Sequence, residues 1–276
     1  MQNNILLPTD FSDNAWSAAV YVLKLFADEE CVFYFLHATK MRVSKMSNLS
    51  NKLTKIMSEN ASQELKDLKE MAENANANAN HEFHTILSAE DLQLAIKKSI
   101  IKHNINLVVV GTKGATKAKE LLFGSNTVRT IKKIKTCPVL IVPEDYDFVL
   151  PKQIAFATNF EREYGDKEIG SLKNLVALYN SKIRTICVQQ EGELSDNQEY
   201  NCTMLEKLLS DYDITFHFMP KYAEKTVEIN DFIEELEIDI LAMVNYKHSF
   251  IENVTKEPVI KKIGYHPTIP FFVIPE

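Results

Sequence analysis

Glycine and cysteine are both scarce in this sequence, with seven glycines and four cysteines in 276 residues. Cys31, Cys137, Cys187 and Cys202 are scattered and form no C-x-x-C pair, which in a chain this long favours reduced thiols over disulfides or a thiolate zinc site. No apolar run approaches the length of a membrane span. The opening Met1-Gln2-Asn3-Asn4 lacks a basic segment and its apolar stretch stops at Pro8-Thr9-Asp10, so no signal peptide and a cytoplasmic location are expected. Ser–His–Asp patterns, paired acids and an activated cysteine are also missing, which leaves no catalytic apparatus in view.

What is present is the balance of a folded globular protein, 45% apolar and 25% charged. The length suggests two domains of ordinary size. The net charge of −7 is uneven: residues 1–150 carry +1 and residues 151–276 carry −8. From Lys97 to Lys135 ten basic residues face one acid, Glu120. On an acidic chain, and without interleaved aromatics, that run argues against a nucleic-acid partner. A solvated helix face is its simplest explanation.

The chain repeats itself. Ile5-Leu6-Leu7-Pro8-Thr9-Asp10-Phe11 returns as Ile154-Ala155-Phe156-Ala157-Thr158-Asn159-Phe160. Ile105–Val110 returns as Ile238–Met243, and the Pro-bracketed run Pro138–Pro143 as Pro270–Pro275. Three matches in one order imply a duplicated unit, and domains over 1–147 and 148–276 are expected, with the acidic Glu144-Asp145-Tyr146-Asp147 as linker. Strand-like runs near 3–8, 31–37, 82–87, 106–110 and 139–142 alternate with helical patterns near 13–27, 44–73, 90–103 and 125–135. The second unit repeats the strands near 153–157, 183–188, 214–218, 239–243 and 270–274. Such alternation predicts an α/β fold: two tandem, doubly wound, Rossmann-like parallel-sheet domains. Asp13 and Ser88 are expected to cap their helices, and the Asn/Ala alternation from Asn74 to Asn80 to end the long one in a loop.

The first unit's three glycines, Gly111, Gly114 and Gly124, all lie just past the run Leu107–Val110. At the carboxyl ends of strands in an open α/β sheet, glycine lets backbone N–H groups approach phosphate oxygens. Gly124-Ser125-Asn126-Thr127 then opens a helix, whose first N–H groups and dipole favour an anion, with Ser125 and Thr127 as hydroxyl donors. The nearby lysines gain a second meaning as phosphate attraction. Walker A fails because Thr116 stands where its second glycine belongs, and the dinucleotide fingerprint fails at Lys113.

The spacing Gly111-x2-Gly114-x9-Gly124-Ser125 resembles the ATP-binding signature of the universal stress protein family, of the adenine nucleotide alpha hydrolase-like fold. Pro8-Thr9-Asp10-Phe11-Ser12, Leu36-His37-Ala38 and Cys137–Pro143 are similar to its first, second and last strands. The resemblance implies that Pro8, Thr9 and Asp10 hold the adenine and ribose end, that Ala38 meets the adenine through its backbone, and that Val110 borders the base. It implies that Gly111, Gly114, Gly124, Ser125, Asn126 and Thr127 bind ribose and phosphates of ATP, ADP or AMP, with Mg2+ beside the phosphates. The implied function is nucleotide-dependent regulation read by a protein partner, with a slow ATPase or nucleotidyl-transfer enzyme and a non-binding scaffold as alternatives. An intramolecular pair of the two units is expected through their final strands, and a homodimer is left open.

The second unit departs at the site: Asn159 stands for Asp10, Val244 for Gly111, Lys247 for Gly114, and Glu257 falls near the Gly124 position. It is expected to be a pseudo-site. Ser44-Lys45-Met46-Ser47-Asn48 looks like a synthetase KMSKS motif but comes too early in the sheet. His81 and His84, three apart in a strand, fall on opposite faces and suit no single metal. His37 and His217 are expected to be satisfied structural residues.

Overall fold

The structure, a computed structural model, describes residues 2–39, 48–75, 77–112, 124–189, 194–220, 225–246 and 268–276. Over these residues the chain divides into two compact units, the first ending at Asp145 and the second beginning at Tyr146. The first unit runs β1 (Asn3–Pro8), α1 (Asp13–Leu25), β2 (Cys31–Ala38), α2 (Asn48–Ala75), β3 (His81–Ser88), α3 (Leu92–Lys102), β4 (Leu107–Gly111), α4 (Ser125–Lys133) and β5 (Val139–Val142). Its strands are parallel in the order β3-β2-β1-β4-β5. The connections from β1 to β3 run one way along the sheet and those from β3 to β5 the other. With right-handed crossovers this puts α1 and α2 on one face and α3 and α4 on the other. Ile5, Leu6, Phe33, Val108, Leu140 and Ile141 are fully buried between these layers, which explains why the strands read as unbroken apolar runs.

The second unit runs β6 (Gln153–Ala157), α5 (Asp166–Ala177), β7 (Lys182–Gln189), α6 (Asp196–Leu208), β8 (Ile214–Pro220), α7 (Lys225–Glu235), β9 (Ile240–Asn245) and β10 (Phe271–Pro275). Its parallel order is β10-β9-β6-β7-β8. The duplication extends to register: Ile5 pairs with Leu107 as Ile154 pairs with Ile240, and Gly111 with Val142 as Val244 with Ile274. It also extends to strain. Phe11 (φ 62°) and Phe160 (φ 53°) both take left-handed backbone after their strands, and each donates its N–H to the preceding threonine hydroxyl, Thr9 at 2.9 Å and Thr158 at 3.0 Å. A bulky residue avoids that conformation unless its surroundings enforce it.

Two helix starts differ from expectation by a few residues. Ser12, not Asp13, caps α1 by accepting from the Ala15 N–H, because the Asp10 carboxylate accepts from the Ser12 hydroxyl at 2.6 Å and orients it. Asp13 becomes the first-turn acid, favoured by the helix dipole. At α3 the cap is Asp91, accepting from the Leu94 N–H, while the Ser88 hydroxyl accepts from the Glu90 N–H in the preceding turn. The Asn/Ala alternation does end α2: Asn78 donates to the Ala27 carbonyl and accepts from the Asn80 N–H, fixing the turn into β3. The KMSKS-like residues 44–47 lie outside the described residues.

Candidate functional site

The carboxyl ends of β2, β1 and β4 are neighbours in the sheet, and they carry Ala38, Pro8 and Val110-Gly111 to one edge. Thr9 and Asp10 follow Pro8 in a turn built from their own side chains. The Thr9 hydroxyl accepts from the Phe11 N–H and the Asp10 carboxylate accepts from Ser12. Asp10 is exposed at this edge. His37 locks the ends of β1 and β2 together: its Nδ1 lies 2.8 Å from the Thr9 carbonyl and its ring stacks on Phe11 at 4.4 Å.

Helix α4 is anchored at the end of β4. The Thr127 hydroxyl donates to the Gly111 carbonyl at 2.8 Å, and the Gly124 N–H donates to the Thr112 carbonyl at 2.5 Å. Thr127 is buried, so its one hydroxyl hydrogen is spent on the strand. Where the sequence suggests a phosphate donor, the structure has a strut that aims the helix. The first intrahelical bond runs from the Val128 N–H to the Gly124 carbonyl, so the N–H groups of Ser125, Asn126 and Thr127 have no partner within the helix. Gly124, the residue at the cap, makes no side-chain cap bond, and Ser125 and Asn126 are exposed. The arrangement presents backbone donors and the positive end of a dipole to an anion at the sheet edge. Gly114 lies outside the described residues.

Gly111 has a role that sequence spacing could not reveal. A Cβ on it would fall 2.6 to 2.7 Å from the Nδ2, Cγ and Oδ1 atoms of Asn14, a buried residue in the first turn of α1. A glycine here leaves room for the Asn14 side chain of α1 against the end of β4, and a larger residue would displace it. No signal in the sequence pairs residues 14 and 111.

In the second unit the ends of the corresponding strands β6 and β9 carry a different set of contacts. The Tyr246 hydroxyl donates to the Asn159 side-chain oxygen at 2.5 Å, and the Asn159 carbonyl accepts from Gln198 at 2.9 Å. Arg162 sits between two rings, 5.2 Å from the Tyr246 centroid and 5.4 Å from that of Tyr164, and makes a bidentate pair with the buried Glu168 at 2.8 and 3.1 Å. Burial opposes the guanidinium charge, but the bonds and charge of Glu168 outweigh it and raise the Arg162 pKa. Burial, with Glu161 behind it, pushes the Tyr246 phenol up, so it stays a neutral donor. Lys247, Glu257 and Gly264 lie outside the described residues.

Among the described residues no group of three or more His, Cys, Asp and Glu side chains could hold a metal. His81 is committed to the Phe26 carbonyl at 3.0 Å, His84 pairs with Glu82, and His217 meets the Thr215 hydroxyl at 2.9 Å. No helix among the described residues is long and apolar enough to cross a membrane.

The model of the universal stress protein family matches residues 1–143, and the chain belongs to that family. Two universal stress proteins of Methanocaldococcus jannaschii align with about half of it. One is 31% identical over 157 residues, covering 51% of this chain and 95% of the relative. The other is 28% identical over 148 residues, covering 51% and 82%. The crystal structure of a universal stress protein from Archaeoglobus fulgidus covers 99% of this chain and 96% of its own, at 20% identity and a TM-score of 0.71. That last likeness shows that the two-unit α/β fold recurs across the full length.

Proposed function

We propose that the first unit binds one adenine nucleotide, ATP, ADP or AMP, at the edge formed by Pro8, Thr9, Asp10, Ala38, Val110 and Gly111. Its phosphates meet the N-terminus of α4, with Mg2+ as their companion. The supporting observation is that α4 is pinned to the end of β4 by Thr127 and Gly124 while its first-turn N–H groups face outward from the cap. The basic residues of the surrounding stretch add long-range attraction for a polyphosphate. The protein acts as a regulator: bound nucleotide favours one conformation or assembly, which a protein partner reads.

The second unit supports the first without a ligand of its own, since Tyr246 and Arg162 occupy the corresponding edge and its net charge of −8 repels phosphate. The test is to identify nucleotide released on denaturing the purified protein, and to repeat the assay with Gly124→Val. Gly124 has φ −55° and ψ 149°, which valine adopts readily, so the variant folds and loses its nucleotide. A Gly124→Val protein that retains a full complement contradicts the proposal.

A further inference from the structure

The first unit holds a cavity of about 360 Å³ that meets the nucleotide edge at Pro8 and Thr9 and extends beyond it. It lies on the face covered by α1 and α2. Leu7 and Phe35 of the sheet form its floor, and Trp16 from α1 with Leu68 and Met71 from α2 form its walls. Pro8 and Thr9 line its upper margin, but Gly111, Gly124, Ser125 and Ala38 take no part in it. Protein interiors are otherwise packed with few voids larger than a water molecule, and a mostly apolar concavity of several hundred Å³ is the usual form of a small-molecule site.

The polar groups around it have one sign. Asp13 of α1 and Glu64 and Asp67 of α2 line the cavity and are exposed to solvent, which places their carboxylates at its mouth. Among the described residues no lysine, arginine or histidine lines it. An organic anion entering here loses hydration and meets three negative charges. A neutral apolar molecule gains the cavity but nothing from the mouth. A cation on an apolar body gains both, and the Trp16 ring is a further partner for a cation.

We propose that this cavity binds a small amphipathic cation, an apolar or aromatic body ending in a protonated amine. Its volume suits roughly ten to fifteen non-hydrogen atoms at about 25–30 Å³ each. Carboxylates at the mouth set the charge of the ligand, and the floor sets its apolar end. The cavity shares Pro8 and Thr9 with the nucleotide edge, while none of the α4 anchor lines it.

Trp16 is the single tryptophan of the chain, so its emission reports on this cavity alone. The experiment titrates the full chain with phenethylammonium, and in parallel with 3-phenylpropanoate, which has a similar body and the opposite charge. The expected result is a saturable change in Trp16 emission with the amine and at least tenfold weaker response to the acid. Glu64→Gln with Asp67→Asn, both on the exposed side of α2, weakens amine binding about five- to tenfold. Met71→Lys, at a position 45% exposed, places a competing cation in the mouth and abolishes the response. A non-saturable signal, equal response to amine and acid, or amine binding unchanged in these variants overturns the proposal.

Discussion

Adding one methyl group at Gly111 separates two reasons for a glycine at the end of β4. If the residue serves only to let a ligand approach, Gly111→Ala leaves the empty protein as stable as before. The packing of α1 predicts otherwise, since the new Cβ would lie 2.6 to 2.7 Å from three atoms of the Asn14 side chain. Contacts that short force Asn14 from its buried place or push α1 outward, and overpacking of this kind costs about 1–3 kcal/mol. Against it stands a gain of about 0.4–1 kcal/mol from restricting the unfolded chain. The balance is a loss of about 1–2 kcal/mol, a fall of roughly 3–6 °C in the melting temperature of a unit this size. The assay is thermal denaturation of nucleotide-free protein, for Gly111→Ala alone and with Asn14→Ala, which removes all three clashing atoms. The two substitutions must be non-additive, with the double variant recovering most of the Gly111→Ala loss. Unchanged stability in Gly111→Ala, or strict additivity, refutes the packing argument.

Thr127→Val removes the bond to the Gly111 carbonyl and costs about 1–2 kcal/mol with weaker nucleotide binding, while Thr127→Ser retains both; denaturation and calorimetric titration of the two variants check this. Glu168→Gln leaves the partly buried Arg162 with one charge partner fewer and destabilises the second unit by about 1–3 kcal/mol in urea unfolding, the lower figures reflecting the solvent that reaches the guanidinium. Burial, then the nearby Glu29, pushes the Cys31 thiol from 9.0 up to about 12. An unfolded chain ionises this thiol first, so its contribution to stability is full below pH 9 and is lost as pH rises from 9 to 12, which Cys31→Ala measured over that range removes.

The inner strands were legible because each is a short buried run bounded by turn residues, and the doubled register follows directly from aligning Ile5 with Ile154. The end of β4 and the start of α4 were legible too, since Gly111 closes the strand and Gly124 precedes the helix. The cap at Ser12 was not, because Ser12 and Asp13 are equally good caps and Asp10 decides between them through a side-chain bond. Thr127 was assigned to phosphate because sequence shows a hydroxyl at a helix start but not the direction it points. Asn14 against Gly111, and Tyr246 against Asn159, join residues some ninety positions apart. Nothing local in either sequence segment signals such contacts; tertiary packing alone creates them.

The proposed function requires one nucleotide site per chain, held by the first unit. Isothermal titration of ATP with Mg2+ into the nucleotide-free full chain tests it directly. The expected result is one site per chain, lost in Gly124→Val. Two equivalent sites, or one site that survives Gly124→Val, contradict it.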